Sequence, residues 1–202
     1  LTDGGIGVML IMRGPGGFTG GTVVDALVSH VDVFPTVCDV AGVPRPPWLQ
    51  GVSLVPLVTG SAGAVRDEIF AEVNYHAAFE PMRCARTTRH KYIRRYDGRR
   101  HPVLPNCDDG PSKSLWMGCG WNDLAPADEA LYDLVFDPAE TNNVAGDPRY
   151  AAALDEMRAR LARWMRETGD PLLAGGIPLP ETAVLNDPDG ASPKEPAVKG
   201  SR

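Results

Sequence analysis

Residues 147–169 read DPRYAAALDEMRARLARWMRETG, and this stretch decides the architecture. Asp147 suits an N-cap, Pro148 takes the first helical position, where its missing N–H does no harm, and Gly169 supplies the stop. The spacing therefore predicts a helix over 148–168. Tyr150, Leu154, Met157, Leu161, Trp164, Met165 and Thr168 recur every three or four residues and give one apolar stripe. Glu156, Arg158, Arg160, Arg163 and Glu167 occupy the opposite face. Such a helix needs one partner layer, either a sheet or another helix.

Strand signals lie upstream. Ile69 to Val73 (IFAEV) reads as a strand, and Cys84 to Thr87 and Tyr92 to Tyr96 flank the polar turn Thr88-Arg89-His90 as a hairpin. Leu131 to Leu134 adds a further short strand. Between them, residues 97–128 are rich in Pro, Gly and Asp and read as a long ordered loop. Further upstream, Val8 to Met12 (VMLIM) is a continuous apolar run between Gly-rich segments, which suits a strand buried on both faces of a parallel sheet. In SHVDVFPTVCDVAG, Asp32 is the expected N-cap, Pro35 falls in the first turn and Gly42 is the stop. Val33, Phe34, Val37, Val40 and Ala41 give that helix its apolar face, and Cys38 reads as core packing. Residues 43–63 read as a covering loop with one helical turn around Leu54 to Leu57. The tail, residues 171–202, has no periodicity and is expected to be extended or disordered.

Composition narrows the function classes. The chain has 202 residues, 43% hydrophobic and 23% charged, with 22 glycines and 19 prolines. These values fit one domain with appendages and many turns. A net charge of −6 disfavours a generic nucleic-acid surface, which needs a Lys/Arg excess. No apolar stretch reaches the roughly 18 residues of a membrane span. The opening Leu-Thr-Asp carries neither an initiating Met nor a basic-then-apolar leader, so the chain is expected to be an excerpt of a longer one. Cys38, Cys84, Cys107 and Cys119 form no CxxC pair, and His30, His76, His90 and His101 form no HxH or HExxH, so no zinc site is read; the four cysteines read first as reduced thiols and, as the alternative, as one long-range disulfide.

Several motifs invite chemistry and fall short of it. GPGGFTGG places Gly16 and Gly21 at phosphate-loop spacing, but Thr22 stands where the lysine is required, leaving a plain turn. Cys84 and Arg89 are one residue short of a phosphatase-type loop. Asp108-Asp109 suits either a cation or a solvated turn. One constellation rises above these: Glu72, His76 and Arg83 in EVNYHAAFEPMR. A carboxylate, an imidazole and a guanidinium near a strand end suit a polar, anionic substrate, and equally suit a surface loop beside a structural ion pair.

Taken in order, DGGIGVMLIMRGPG, VVDALVSHVDVFPTVCDVAGVPRPPWLQGVSLVPLVTG, RDEIFAEVNYHAAFEPMRCARTTRHKYIRR and LYDLVFDPAETNNVAGDPRYAAALDEMRARLARWMRETGDP resemble the C-terminal part of a sulfatase. WMRETGDP and LPNCDDGPSK fit the sulfamidase-like branch. The likeness covers about residues 1–175. It implies an α/β class: the C-terminal part of an alkaline-phosphatase-like fold, with a small antiparallel sheet packed on a long C-terminal helix. Residues 1–65 would then be a piece of the large α/β domain, residues 66–170 the small α+β subdomain, and residues 171–202 the tail. The resemblance also implies hydrolysis of sulfate esters or sulfamates by a formylglycine nucleophile with calcium, and a sulfated small molecule or sugar as partner. No C-x-P-S-R motif is present, nor the calcium-binding Asp pair, so nucleophile and metal ligands are expected outside this sequence. Glu72, His76 and Arg83 are then expected to bind substrate without breaking the bond. The alternative is a non-catalytic carbohydrate- or protein-binding module derived from the sulfatase small domain.

Overall fold

The computed structural model describes residues 1–199. Its first third carries three short helices, α1 (Asp3–Ile6), α2 (Val33–Ala41) and α3 (Val55–Val58). The centre is an antiparallel sheet of β1 (Ile69–Tyr75), β2 (Phe79–Arg86), β3 (His90–Arg95) and β4 (Glu129–Asp133), in that spatial order. Helix α4 (Pro111–Gly118) lies in the β3–β4 connection. Helix α5 (Ala151–Glu167) follows a 3-10 turn at Pro148–Tyr150 and packs on β2 and β3. A two-residue ladder, β5 (Val184–Leu185) with β6 (Val198–Lys199), ends the described chain.

The sheet and α5 follow directly from residue pattern. Register places Phe70, Ala85, Tyr92 and Leu131 in one cross-strand row. That row is apolar, and Leu154, Met157, Leu161 and Met165 of α5 close over it to form the core. Trp164 is half-buried and stacks on Phe70, with ring centroids 5.0 Å apart. Asp147 accepts from the Arg149 amide at 2.9 Å, and Gly169 adopts a φ of 64° beyond the last turn, so both predicted helix ends hold. Thr168 departs from the predicted stripe: it is exposed, and its hydroxyl donates to the Trp164 carbonyl instead.

Polar ties complete the join. Glu129 on β4 accepts from Tyr92 at 2.5 Å, from Arg94 at 2.6 Å and from Arg158 of α5 at 3.1 Å. The hydrogen bond from Arg158 dominates, and together the three donors outweigh burial and hold the Glu129 carboxyl at about 2.

Elsewhere the structure corrects the sequence reading. Val8–Met12 is not a strand. It runs as irregular chain, with Met9 84% and Ile11 80% exposed. A parallel strand needs a neighbour to pair with, and none of the strands among the described residues lies beside it. Asp32 does not cap α2 in the usual sense. Its fully buried carboxylate turns back to accept from the Ser29 amide at 2.8 Å and across to the Val52 amide at 2.8 Å, with Arg66 as a third donor. It thereby staples the 43–66 loop to the helix start. Gly51 is required at this staple, because a Cβ there would overlap the Val31 carbonyl. Consequently α2 buries Pro35, Thr36 and Cys38, whereas Phe34, Val37 and Ala41 of the predicted apolar face point outward. Gly42 ends α2 at a φ of 65°, as expected. The 97–128 segment is more regular than its composition suggests: Pro111 starts α4, and Lys113 anchors it by donating to the Cys107 carbonyl at 2.8 Å. The β2–β3 turn sits at Thr87–Arg89, one residue earlier than predicted, closed by the Thr87 amide on the His90 carbonyl.

Two outcomes test this packing. Leu161→Ala is expected to cost about 3 kcal/mol in urea melts, from lost burial and the cavity left behind. Arg163→Ala, exposed on the same helix, is expected to cost about 0.5 kcal/mol or less. Equal losses would mean the helix faces are misassigned. The depressed Glu129 carboxyl stabilises the fold fully above its unfolded value near 4.5, and this contribution fades as pH falls toward 2. The stability difference between wild type and Glu129→Gln should therefore shrink by roughly 2 kcal/mol between pH 5 and pH 2.

Candidate functional site

The three candidate residues lie on one hairpin, β1 and β2. Glu72 and Arg83 are register partners, and Arg83 Nε lies 3.3 Å from Glu72 Oε2. Their row continues through Arg94 to Glu129, two residues along from the apolar row and on the same face of the sheet. Glu72 keeps a side chain 52% exposed, whereas Arg83 is fully buried. His76 stands at the hairpin turn with its side chain exposed. The structure thus joins Glu72 to Arg83 and sets His76 at the tip.

Arg83 directs its donors into the protein. Nε and Nη2 form a bidentate pair with Asp170 at 2.5 and 3.0 Å. Nη1 reaches the Val73 carbonyl at 3.2 Å, Asn74 Oδ1 at 2.8 Å and the Met82 carbonyl at 2.9 Å. Register slips between Val73 and Tyr75, so Arg83 stitches the β1 bulge at Asn74. Burial would raise the Asp170 pKa, but the hydrogen bonds from Arg83 and the Leu172 amide outweigh it and keep the carboxyl below its ordinary range. Asp170 was not singled out in the sequence because it lies 87 positions from Arg83. Its only local sign is the Asp-Pro pair that caps the 3-10 turn Pro171–Ala174.

The tip itself is braced from outside the hairpin. Asn106 Oδ1 accepts from the Ala77 and Ala78 amides at 3.0 and 2.7 Å. Its Nδ2 donates to Glu80 at 2.9 Å. The Asn186 amide donates to the Ala77 carbonyl at 2.8 Å, and the His76 amide to the Ala78 carbonyl at 3.3 Å. Nothing local in the sequence marks Asn106 or Asn186 for this task.

A second ionic cluster covers the other face. Lys91, fully buried, lies 2.6 Å from Asp3 and 2.9 Å from Glu140, and Arg86 reaches Asp3 at 3.0 Å. Asp3 stays below the ordinary carboxylate range because hydrogen bonds from Arg86 and Lys91 outweigh its desolvation. Cys84 lies beneath this cluster with its thiol pushed up to about 12 by burial, so it is no nucleophile at neutral pH. All four cysteines are free thiols.

Calcium, implied by the resemblance, does not fit the residues present. Asp109 is engaged by Lys113 at 3.1 Å and by the Ser192 hydroxyl at 2.6 Å, while Asp108 is exposed beside it. Among the described residues no three His, Cys, Asp or Glu side chains group as a cation cage would need.

Comparison with known proteins agrees with this architecture. Residues 1–112 match the family described as N-sulphoglucosamine sulphohydrolase, C-terminal. The chain is 28% identical to an ulvan-active sulfatase of Formosa agariphila, over 89% of this chain and 37% of that protein. It is 30% identical to the Homo sapiens N-sulphoglucosamine sulphohydrolase, over 75% of this chain and 34% of the relative. A solved 2-O GAG sulfatase superposes with a TM-score of 0.54 at 27% identity, over 74% of this chain and 27% of that structure. The chain thus spans between about a quarter and little more than a third of the curated relatives it matches. The small four-stranded sheet under a long helix is the C-terminal architecture of the alkaline-phosphatase-like sulfatase fold. The chain belongs to the sulfatases, in the N-sulphoglucosamine sulphohydrolase C-terminal family.

Proposed function

We propose that this chain forms the C-terminal part of a hydrolase acting on the sulfate esters or sulfamates of a sulfated sugar, and that it supplies scaffold and substrate-pocket residues while nucleophile and metal ligands come from elsewhere. The family match over residues 1–112 carries this reading. The similarity to sulfatases named for ulvan and for N-sulphoglucosamine supports a sulfated sugar as the substrate class.

Within it, residues 66–170 are the small subdomain, residues 171–202 the tail, whose last three positions lie outside the described residues, and residues 1–65 part of the larger α/β unit. Support for the last assignment is the exposed apolar side chains Met9, Ile11, Val23, Phe34 and Val37, which a surface meant for water would not carry together. Glu72, His76 and Arg83 form the substrate-reading end of the β1–β2 hairpin. His76 and Glu72 face outward, and Arg83 acts through Glu72 and the Asn74 bulge as a positioning residue. An exposed imidazole at the hairpin tip and an exposed carboxylate on β1 of the same hairpin suit the hydroxyl and amine pattern of a sugar leaving group. Calcium and formylglycine belong, in this reading, to the complete protein.

The assay is sulfate release from an aryl sulfate and from N-sulfated glucosamine. Residues 1–202 alone should release none, with or without calcium, while the complete gene product should turn over. In the complete protein, His76→Ala should raise KM about fivefold with kcat changed less than about twofold. Turnover by the isolated chain would refute the division of labour. Saturable binding of sulfated sugar by the complete protein without any turnover would favour a non-catalytic module.

A further inference from the structure

We propose that Asn106 is a positioning residue that fixes the His76 turn, and that this brace is a specificity device and not a generic loop contact. The inference rests on the substrate-reading role assigned above to the hairpin tip.

A three-residue hairpin turn at a protein surface normally leaves its amides to water. Here the Ala77 and Ala78 amides converge on one oxygen, Asn106 Oδ1, at 3.0 and 2.7 Å. Ala78 is fully buried beneath that contact. The Ala77 carbonyl takes the Asn186 amide at 2.8 Å, and the Ala78 carbonyl takes the His76 amide. The backbone polar groups of Ala77 and Ala78 are therefore all held, yet the His76 side chain is left exposed. That combination, a constrained backbone under a free imidazole, is what presenting a recognition group requires.

The amide side chain is specifically suited to the position. Asn106 Nδ2 donates to Glu80 Oε2 at 2.9 Å, and Glu80 Oε1 pairs with Arg95 at 2.8 Å. A carboxylate can only accept, so Glu80 fixes which end of the Asn106 amide faces the turn. The order Arg95, Glu80, Asn106, turn amides is one chain of hydrogen bonds from the centre of the sheet to its tip. Asn106 sits in a 3-10 turn, Leu104–Asn106, whose Leu104 and Pro105 are buried, so its own backbone is anchored. The brace reaches back 28 and 29 positions along the chain, so it is tertiary and not part of the turn.

The test uses the complete protein, with N-sulfated glucosamine as substrate and hydrogen exchange of a peptide covering residues 75–80 as the structural readout. Asn106→Ala should speed exchange of the Ala77 and Ala78 amides about tenfold or more, leave β2 and β3 amides unchanged, and raise KM about fivefold with kcat nearly constant. Asn106→Asp combined with Glu80→Gln keeps an acceptor for the turn amides and exchanges donor and acceptor between positions 106 and 80, so it should restore both slow exchange and KM to within about threefold of wild type. Unchanged exchange in Asn106→Ala would overturn the brace. A loosened turn with unchanged KM, in a protein where His76→Ala does raise KM, would overturn the positioning role and leave the hairpin reading intact. An unchanged KM in His76→Ala would overturn the hairpin reading and this inference with it. Global loss of protection in Asn106→Ala, with the double variant Asn106→Asp and Glu80→Gln folded yet raised in KM as far as His76→Ala, would also overturn it.

Discussion

Cations oppose cations on both faces of the central sheet. The β2–β3 register sets Arg83 against Arg94 on the face under α5, and Arg86 against Lys91 on the other. Like charges directly opposite destabilise a strand pair, and Arg83 and Lys91 are both fully buried. A buried guanidinium or ammonium costs several kcal/mol unless its donors meet acceptors. The β2–β3 pairing alone cannot supply them. The acids arrive from distant segments: Asp170 beyond α5, Asp3 in α1, Glu140 in the β4–α5 connection and Glu129 on β4. Glu140 sits at a φ of 55°, unusual for a residue with a Cβ, while it accepts from the Asp3 amide at 2.6 Å and faces Lys91.

That electrostatic demand sets which parts of the chain are coupled. The apolar row closes α5 on the sheet, and the charged row beside it, through Glu129 with Arg158 and Arg83 with Asp170, pins both the middle of the helix and the segment after it. Across the sheet, Asp3 brings the first residues of the chain against β2 and β3. Between these two attachments, residues 8–24 carry few such ties, and Met9, Ile11 and Val23 stay exposed. Local stability should follow the same division, highest where apolar and charged rows meet and lowest in the Gly-rich segment.

What the sequence made legible follows from how far each signal reaches. The α5 boundaries are local chemistry: an Asp-Pro start and a Gly stop need no tertiary knowledge. The β2–β3 hairpin and most of β1 were readable as short apolar runs around a polar turn, but β2 begins at Phe79, five residues before the expected Cys84, so the β1–β2 hairpin that carries Arg83 was not legible. VMLIM failed because a continuous apolar run states that both faces want covering, without saying what covers them. Asp32 failed for the opposite reason. Its sequence context is that of a cap, but Arg66 and the Val52 amide, 34 and 20 positions away, compete for the same carboxylate. The site was half legible: Glu72, His76 and Arg83 stood out as chemistry, while the partners that decide their roles, Asp170 and Asn106, are distant in sequence.

The opposed cations also constrain register, and through it the tip. If β3 slipped one residue against β2, Lys91 would move onto the face covered by Leu161 and Met165, and Tyr92 would leave it. An ammonium without Asp3 or Glu140 inside that apolar layer is a far larger penalty than any hydrophobic mismatch. The buried charges thus exclude wrong pairings more than they stabilise the right one. Register fixed at Arg83–Arg94 fixes Met82 against Arg95, and Arg95 in turn holds Glu80, the residue that orients Asn106. The position of the exposed imidazole is therefore set from the sheet interior outward, by charge first and by the turn last.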